Sequence, residues 1–416
     1  MLIYVILVTI CDDRKHELKC FIAPSLNSQW SSRFGCVTTS SMNKLFVFLL
    51  PILLSTLFTK GQELMPVPDS TKKVKITIKG LFQARYVFSA NKDVDLNGLH
   101  HTDGKAIYND FDLKRVRLQF ASKISDRTEV NLLLNLADFK SDPANKVLEN
   151  AFISYRLNQY FHFKMGQFRP AFGLENMYPV DVIKSLDFSN QYTAFGNNGW
   201  QSFQIGASIF GDFKGSIPIK YEVSIVNGNN RNKALDNDNG KHFSSRVEFG
   251  LLQELNIKLG LNGGLGLVSG SKVYASGVDF SGVVPICKKW SLELETEAKQ
   301  GNNHTLYYGL DTASRVGGVS GYQMRGLYFL PNLRYEIDYH RLSSLEFSCR
   351  YEYFDKDFKH TNNPRQTFTP MLSAEFLKSY NARIQIGINI DRYKRNVSGT
   401  TQYNNEQFVI QIQSRL

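Results

Sequence analysis

Ala382-Arg383-Ile384-Gln385-Ile386-Gly387-Ile388-Asn389-Ile390 is the stretch on which the fold turns. Ile384, Ile386, Ile388 and Ile390 fall on one parity; Arg383, Gln385, Gly387 and Asn389 fall on the other. Period two describes a strand with one apolar and one polar face. The same alternation fills residues 201–416 and the stretch from 74 to 169. A soluble sandwich could use such strands, so the connections must decide. Residues 89–110, 170–200, 229–241, 300–320 and 391–405 make long connections. Residues 125–128, 158–160, 211–216, 253–256 and 377–381 make short ones. One rim therefore carries loops and the other carries tight turns. A transmembrane antiparallel β-barrel does this, with short periplasmic turns and long outer loops. The alternation weakens near residues 268–271 and 331–342, where strand ends are indistinct. The expectation is an all-β barrel of about sixteen strands, each roughly ten residues long, as a tilted spanning strand requires.

The front of the chain bears on where such a barrel resides. Met42-Asn43-Lys44 precedes a short apolar run, and Thr59-Lys60-Gly61 closes it with small residues. A basic flank, a short apolar core and a small-residue cut site make a secretory signal over residues 42–61. The run is too short for a spanning helix, and the mean hydropathy of -0.27 fits a chain without one. Residues 1–41 read as an upstream translation mis-start, the alternative being a genuine extension. Residues 62–73 form a short periplasmic segment, and residues 74–416 form the barrel. Without residues 1–61 the net charge falls from +11 to +8, and only Cys287 and Cys349 remain of five cysteines. Two cysteines exclude a disulfide scaffold, and no metal-site spacing of Cys and His is present. No cofactor is expected. The 20 Tyr and 30 Phe suit aromatic girdles, with Tyr86, Phe88, Tyr351, Tyr353 and Phe408 near strand ends.

Parity also assigns an inside. Val116, Leu118 and Phe120 share one face, and Arg115, Arg117, Gln119 and Lys123 share the other. A charge at the bilayer midplane costs ~2–4 kcal/mol on the lipid face. The arginines are therefore expected to face the lumen or a rim. The same rule turns Lys79 and Arg85 inward with Gln83, and Lys164 inward against Phe163 and Met165. Arg246, Arg325, Arg350 and Arg383 point inward on their own strands, with Arg325 flanked by poor alternation. A wide barrel with a charged interior leaves an aqueous channel. Glu293, Glu295 and Glu297 share an inward face as well, and further carboxylates nearly balance the cations. Each arginine thus reads equally as a structural partner of a carboxylate or as a solute contact. The segment expected to set the bore is residues 170–200, too long for turn chemistry alone. Its Phe172, Leu174, Met177, Tyr178, Phe188, Tyr192 and Phe195 suggest packing against the inner wall, with an outer cap or subunit contact as the alternative.

Three motifs carry a family resemblance. They are Phe111-Asp112-Leu113-Lys114-Arg115-Val116-Arg117-Leu118, then Leu148-Glu149-Asn150-Ala151-Phe152-Ile153-Ser154-Tyr155, then Met165-Gly166-Gln167-Phe168-Arg169-Pro170-Ala171-Phe172-Gly173-Leu174-Glu175. Gln204-Ile205-Gly206-Ala207 and Val223-Ser224-Ile225-Val226-Asn227-Gly228 follow in order. Across residues 74–416 the chain resembles the phosphate-selective porins O and P. The resemblance implies a trimeric sixteen-stranded porin of a Gram-negative outer membrane, with an inward-folded loop and a basic lumen passing small anions such as phosphate. The family's cationic residues carry over best to Arg115 and Arg117, and more weakly to Lys164 and Arg169. Leu416 departs from the aromatic final residue usual in outer-membrane strands. A nonselective barrel and an adhesin with binding loops are the alternative readings. An enzyme would need a nucleophile and a base on one strand face, and none is evident. Nucleic-acid binding is unsupported, because the basic residues are spread over alternate strand positions. The expected partners are anionic solutes, outer-membrane lipid and two further copies of the chain.

Overall fold

A computed structural model describes residues 74–233 and 235–416. The expected signal segment at 42–61, the residues before it and the expected periplasmic segment at 62–73 lie outside the described residues. The sixteen strands run from β1 (Lys75–Ser89), β2 (Asn109–Lys123), β3 (Thr128–Asn135) and β4 (Leu148–Arg156) to β5 (His162–Phe168), β6 (Gln204–Phe213), β7 (Ile219–Val226) and β8 (His242–Leu252). They continue through β9 (Ile257–Val268), β10 (Ser271–Cys287), β11 (Trp290–Asn302), β12 (Gln323–Tyr339), β13 (Leu342–Asp355), β14 (Arg365–Leu377), β15 (Ala382–Tyr393) and β16 (Asn405–Arg415). Each strand pairs with its sequence neighbours, and β1 pairs antiparallel with β16, so the sheet closes and leaves no edge. The last residue takes part in that closure: Leu416 and Gly80 exchange two backbone hydrogen bonds, of 3.0 and 3.3 Å. No helix among the described residues is long and apolar enough to cross a membrane.

Period two decides what faces out. Ile386, Ile388 and Ile412 are exposed on the outer face, while Arg383, Gln385, Gln411 and Gln413 are buried on the inner one. Aromatic rings form belts at two heights on the outside. Tyr86 meets Phe111 and Tyr351 meets Phe368, each at a tilt, toward the loop rim; Trp290 meets Tyr335 and Tyr160 meets Phe213 toward the turn rim. Such amphipathic rings settle at headgroup level.

The two indistinct regions of the sequence have local causes. Residues 269–270 are a two-residue hairpin turn, with Ser269 at φ 47° and Gly270 at φ 79°. Positive φ at both central residues matches the right-handed twist of the flanking strands. Among the described residues this is the exception on a rim whose other connections are long. Pro331 lies inside β12, and the β12–β13 register skips from Phe329↔Tyr351 to Asn332↔Ser348. Proline has no N–H to give the ladder, so the pairing breaks there.

A bulge on β2 shapes the site. The register passes from Gln83↔Arg115 to Ala84↔Leu113, leaving Lys114 unopposed. An extra residue in one strand upsets strict alternation, so Lys114 and Arg115 both reach inward. A second bulge on β4 leaves Glu149 unopposed between Leu133↔Asn150 and Leu134↔Leu148.

Candidate functional site

Residues 169–203 connect β5 to β6, and the inward side chains of the wall hold them. Gly173 N donates to Asn262 on β9 at 2.8 Å, and Leu174 N donates to Glu297 on β11 at 3.0 Å. Further along, Gln413 on β16 donates to the Asp181 carbonyl at 2.9 Å, and Arg415 pairs with the Asp181 carboxylate at 2.6 Å. Arg383 on β15 donates to the Ile183 carbonyl at 3.1 Å, and Lys184 pairs with Glu293 at 2.7 Å. Arg350 on β13 donates to the carbonyls of Asp187 and Phe188, at 2.6 and 3.2 Å. Asn190 N, at the start of the helix Asn190–Asn197, donates to Glu352 at 2.6 Å. The segment thus crosses the lumen to the far wall and returns.

Apolar contacts fix the same path. Phe172, Phe195 and Trp200 are fully buried against Val273, Ala275 and Met324, which project inward from β10 and β12. Leu186 packs on Val87, Met371 and Val409 of β1, β14 and β16. Each such ring or branched chain taken from water contributes about 1.5–3 kcal/mol. The Trp200 indole lies flat on His242, centroids 4.4 Å apart, over a stretch of β9 free of side-chain bulk. A Cβ at Gly264 would come within 2.6 Å of that indole, so the glycine permits the close approach.

The segment fills the side of the barrel formed by β8–β16 and leaves an opening beside β2–β4. This cavity, of about 530 Å³, lies between Phe188, Tyr192 and Asn197 on the segment and Lys114, Arg115 and Arg117 on β2. Arg231 and Lys233, from the loop at 227–241, close it above. A second cavity, of about 510 Å³, lies at the turn-rim end of the same strands, with Lys123, Glu129, Ser154 and Arg156 on its wall. Six cations line the upper cavity, the sixth being Lys146, against three carboxylates, Asp138, Asp142 and Glu149. Asp187 adds a fourth carboxylate, because it pairs with Lys114 and, at 2.7 Å, with Arg115. The opening keeps an excess of two positive charges.

The sequence and the fold both have known counterparts. Residues 88–254 match the family described as phosphate-selective porin O and P. That match runs from the end of β1 through β8. The porin's barrel is also similar to solved outer-membrane structures. An anion-selective porin from Comamonas acidovorans superposes with a TM-score of 0.53 at 9% identity, covering 83% of this chain and 100% of that one. The outer membrane channel DcaP of Acinetobacter baumannii gives 0.52 at 14% identity, covering 83% and 99%. Salmonella typhi OmpF, in a complex with daunomycin, gives 0.55 at 10% identity, covering 82% and 98%. At such identities the likeness is one of fold alone. No curated protein sequence matches significantly. Family and fold together place the porin in the outer membrane, with its short turns toward the periplasm.

The inward cations of the porin fall into distinct surroundings. Arg115 and Arg117 line the opening; Arg115 also donates to Gln83 at 2.8 Å, and Arg117 pairs with the bulged Glu149 at 2.7 Å. Arg231 bridges Glu149 and Asp138 at 3.4 and 3.6 Å. Arg169 donates to the Tyr192 hydroxyl at 3.2 Å and the Tyr178 carbonyl at 3.3 Å. Arg85, Lys164 and Arg246 have carboxylate partners, at 3.1 Å to Asp112, 2.8 Å to Glu222 and 2.5 Å to Asp279. Arg350 and Arg383 hold the crossing segment. Lys79 is exposed on β1 below the point where β16 begins to pair, near the periplasmic rim.

Arg325 is not inward. Met324 and Tyr328 are buried on the lumen side of β12, and Arg325 shares the outer parity of exposed Leu327 and Phe329. It sits over the Phe358 ring near the outer end of the strand, where a snorkelling guanidinium reaches the interface. Its flanks misled the parity reading because β12 puts Met324, Tyr328 and Leu330 on the lumen face, under the crossing segment. Arg334 also faces inward, beyond Pro331 where the alternation is indistinct, and pairs with Glu346 and Glu375 at 2.6 and 2.5 Å. Lys114 was hidden by the bulge, and Arg231 and Lys233 lie on a loop without periodicity. Among the described residues no group of three or more His, Cys, Asp or Glu is placed to hold a metal ion.

Asp187 joins the segment to the bulge, and its titration is testable. Burial alone would raise its carboxyl, but Lys114 and Arg115 hold it well below the ordinary carboxylate range. A depressed folded-state value stabilises wherever the carboxylate is ionised, above about pH 4, and that contribution fades as pH falls through the depressed value. Asp187→Asn is expected to cost on the order of 1–3 kcal/mol at pH 7. The gap in thermal stability should narrow as both proteins are taken below pH 4. A gap independent of pH would refute the ion pair as its cause.

Proposed function

We propose that the protein is a water-filled, moderately anion-preferring diffusion porin for small hydrophilic solutes, with phosphate among its candidate solutes, working as a homotrimer. The observation that carries the selectivity is the cation excess at the opening between the crossing segment and β2–β4. Low-dielectric walls focus that field onto a passing ion. Arginine keeps its charge at any physiological pH and offers oxyanions a planar donor fork. A conducting site must also release its ion. Internal partners such as Asp187 and Glu149 temper the guanidinium groups and favour weak binding.

The acidic strand is the natural objection. Glu293 and Glu297 are engaged with Lys184, Lys299 and the Leu174 N–H, on the wall that the segment covers. Their charge is spent on holding the segment and not on the opening. A nonselective barrel is the reading that results if this separation fails.

Strand lengths support the trimer. β5 has seven residues and β3 and β7 have eight, whereas β10 and β12 have seventeen. At about 3.3 Å per residue and about 45° of tilt, seven residues rise roughly 16 Å, short of an apolar band of about 25 Å. A low wall with Ile153, Met165, Ile209 and Val223 exposed suits contact with another protein surface better than contact with lipid.

Recordings in planar bilayers test the whole reading. A salt gradient should give a zero-current potential on the anion side, and closures should come in three equal steps. A potential at zero would mean a nonselective pore, single steps would contradict the trimer, and no conductance would favour an adhesin.

A further inference from the structure

The opening has two unlike walls. The barrel side presents guanidinium and ammonium groups. The side of the crossing segment presents rings. Phe188 and Tyr192 stack on each other with centroids 4.0 Å apart and planes 18° apart. They are partly exposed and stand outside the buried cluster of Phe172, Phe195 and Trp200 that pins the segment to the wall. Packing therefore does not account for them. Cations lie close to ring faces: the Arg115 guanidinium is 5.8 Å from the Phe188 centroid, and Arg169 and Arg231 are each 5.5 Å from that of Phe203. Arg169 also donates to the Tyr192 hydroxyl at 3.2 Å.

These cations are poorly matched to a compact, strongly hydrated dianion. Arg115, Arg117 and Arg231 each have a carboxylate within 3.4 Å. A small oxyanion must compete with those partners and gains nothing from the rings. A flat aromatic monoanion needs only one charge-assisted bond and can lay its ring on the aromatic wall. Ring–ring contact adds attraction beyond that of the area buried. A cavity of about 530 Å³ accommodates such a molecule together with water.

We propose that the slot between the Phe188–Tyr192 ring pair and the cations of β2 selects planar aromatic carboxylates over inorganic phosphate. This rests on the anion-preferring reading above and names its solute class. The probe is benzoate, compared with cyclohexanecarboxylate, which has the same charge and similar size but no flat ring. Each is titrated against chloride current through single trimers of the full porin. Benzoate should reduce the current at a concentration at least three-fold lower than cyclohexanecarboxylate and than phosphate. In the Phe188→Ala, Tyr192→Ala double variant that advantage should disappear. Equal potency of the two carboxylates in the unaltered porin overturns the inference without any variant, and so does tighter block by phosphate. An advantage that survives the double variant places ring recognition elsewhere and overturns it too. A chloride-gradient potential at zero or on the cation side defeats the underlying anion reading. An anion-side potential with no preference for benzoate defeats only this inference.

Discussion

Removing residues 181–193 should turn a narrow channel into a wide one. The deleted span carries Asp181, Ile183, Lys184, Asp187 and Asn190, which make the attachments to β2, β11, β13, β15 and β16. It also carries Leu186, which packs on Val87, Met371 and Val409. A sixteen-stranded barrel is an open aqueous channel unless something occupies it, so single-channel conductance should rise roughly two-fold or more. The barrel itself should survive, because its ladder closes through β1 and β16 without the segment. Arg350 and Arg383 lose carbonyl partners, but water entering the lumen replaces them. Assembled protein of native mobility with unchanged conductance would mean that the segment does not set the bore. Loss of assembled protein would be resolved with the shorter deletion of residues 184–189, for which a smaller increase is expected.

Changing Arg115 and Arg117 together to Glu should move the zero-current potential from the anion side to the cation side. Each replacement shifts the charge by two, so the pair turns an excess of two positive charges into an excess of two negative ones. The two positions are neighbours on one strand face, and both line the opening. The new carboxylates would face Asp187 and Glu149, their former partners, so part of the segment's attachment is lost as well. The Arg115→Gln, Arg117→Gln variant separates the effects. It removes two positive charges without adding repulsion and should bring the potential close to zero. An anion-side potential in both variants would move the selectivity to Arg231, Lys233 and Lys146.

Much of this architecture is legible in the chain, and the exceptions share a physical cause. Alternation such as that of Ile384, Ile386, Ile388 and Ile390 survives intact wherever one face meets lipid and the other meets water. It becomes ambiguous where the lumen face meets protein. Met324 and Tyr328 on β12 face inward under the crossing segment, so Arg325 between them seemed to belong with the polar face. Val87, Met371 and Val409 interrupt otherwise polar lumen faces for the same reason. Those misplaced apolar residues are the sequence trace of where the segment docks, and they could have been used to find its path. Lys114 left no such trace: a bulge shifts parity by one without a special residue type. Arg231 and Lys233 reach the opening through a loop, and a loop has no period to count.

The attachments of the crossing segment also fix an order of events. Arg350, Arg383, Gln413 and Arg415 stand between 163 and about 230 positions later in the chain than the backbone they hold. Gln413 and Arg415 lie on β16 and are in place only once that strand has joined the sheet, whereas Asn262 on β9 and Glu297 on β11 come earlier in the chain. Contacts of such long sequence separation form late, because the intervening chain must first be ordered. The hold on Asp181 by β16 therefore spans the longest stretch of chain and forms after the hold on Gly173 and Leu174. A slow step in β16 is expected to leave the segment pinned at Gly173 and Leu174 but unheld at Asp181, a partly narrowed bore and not an empty one.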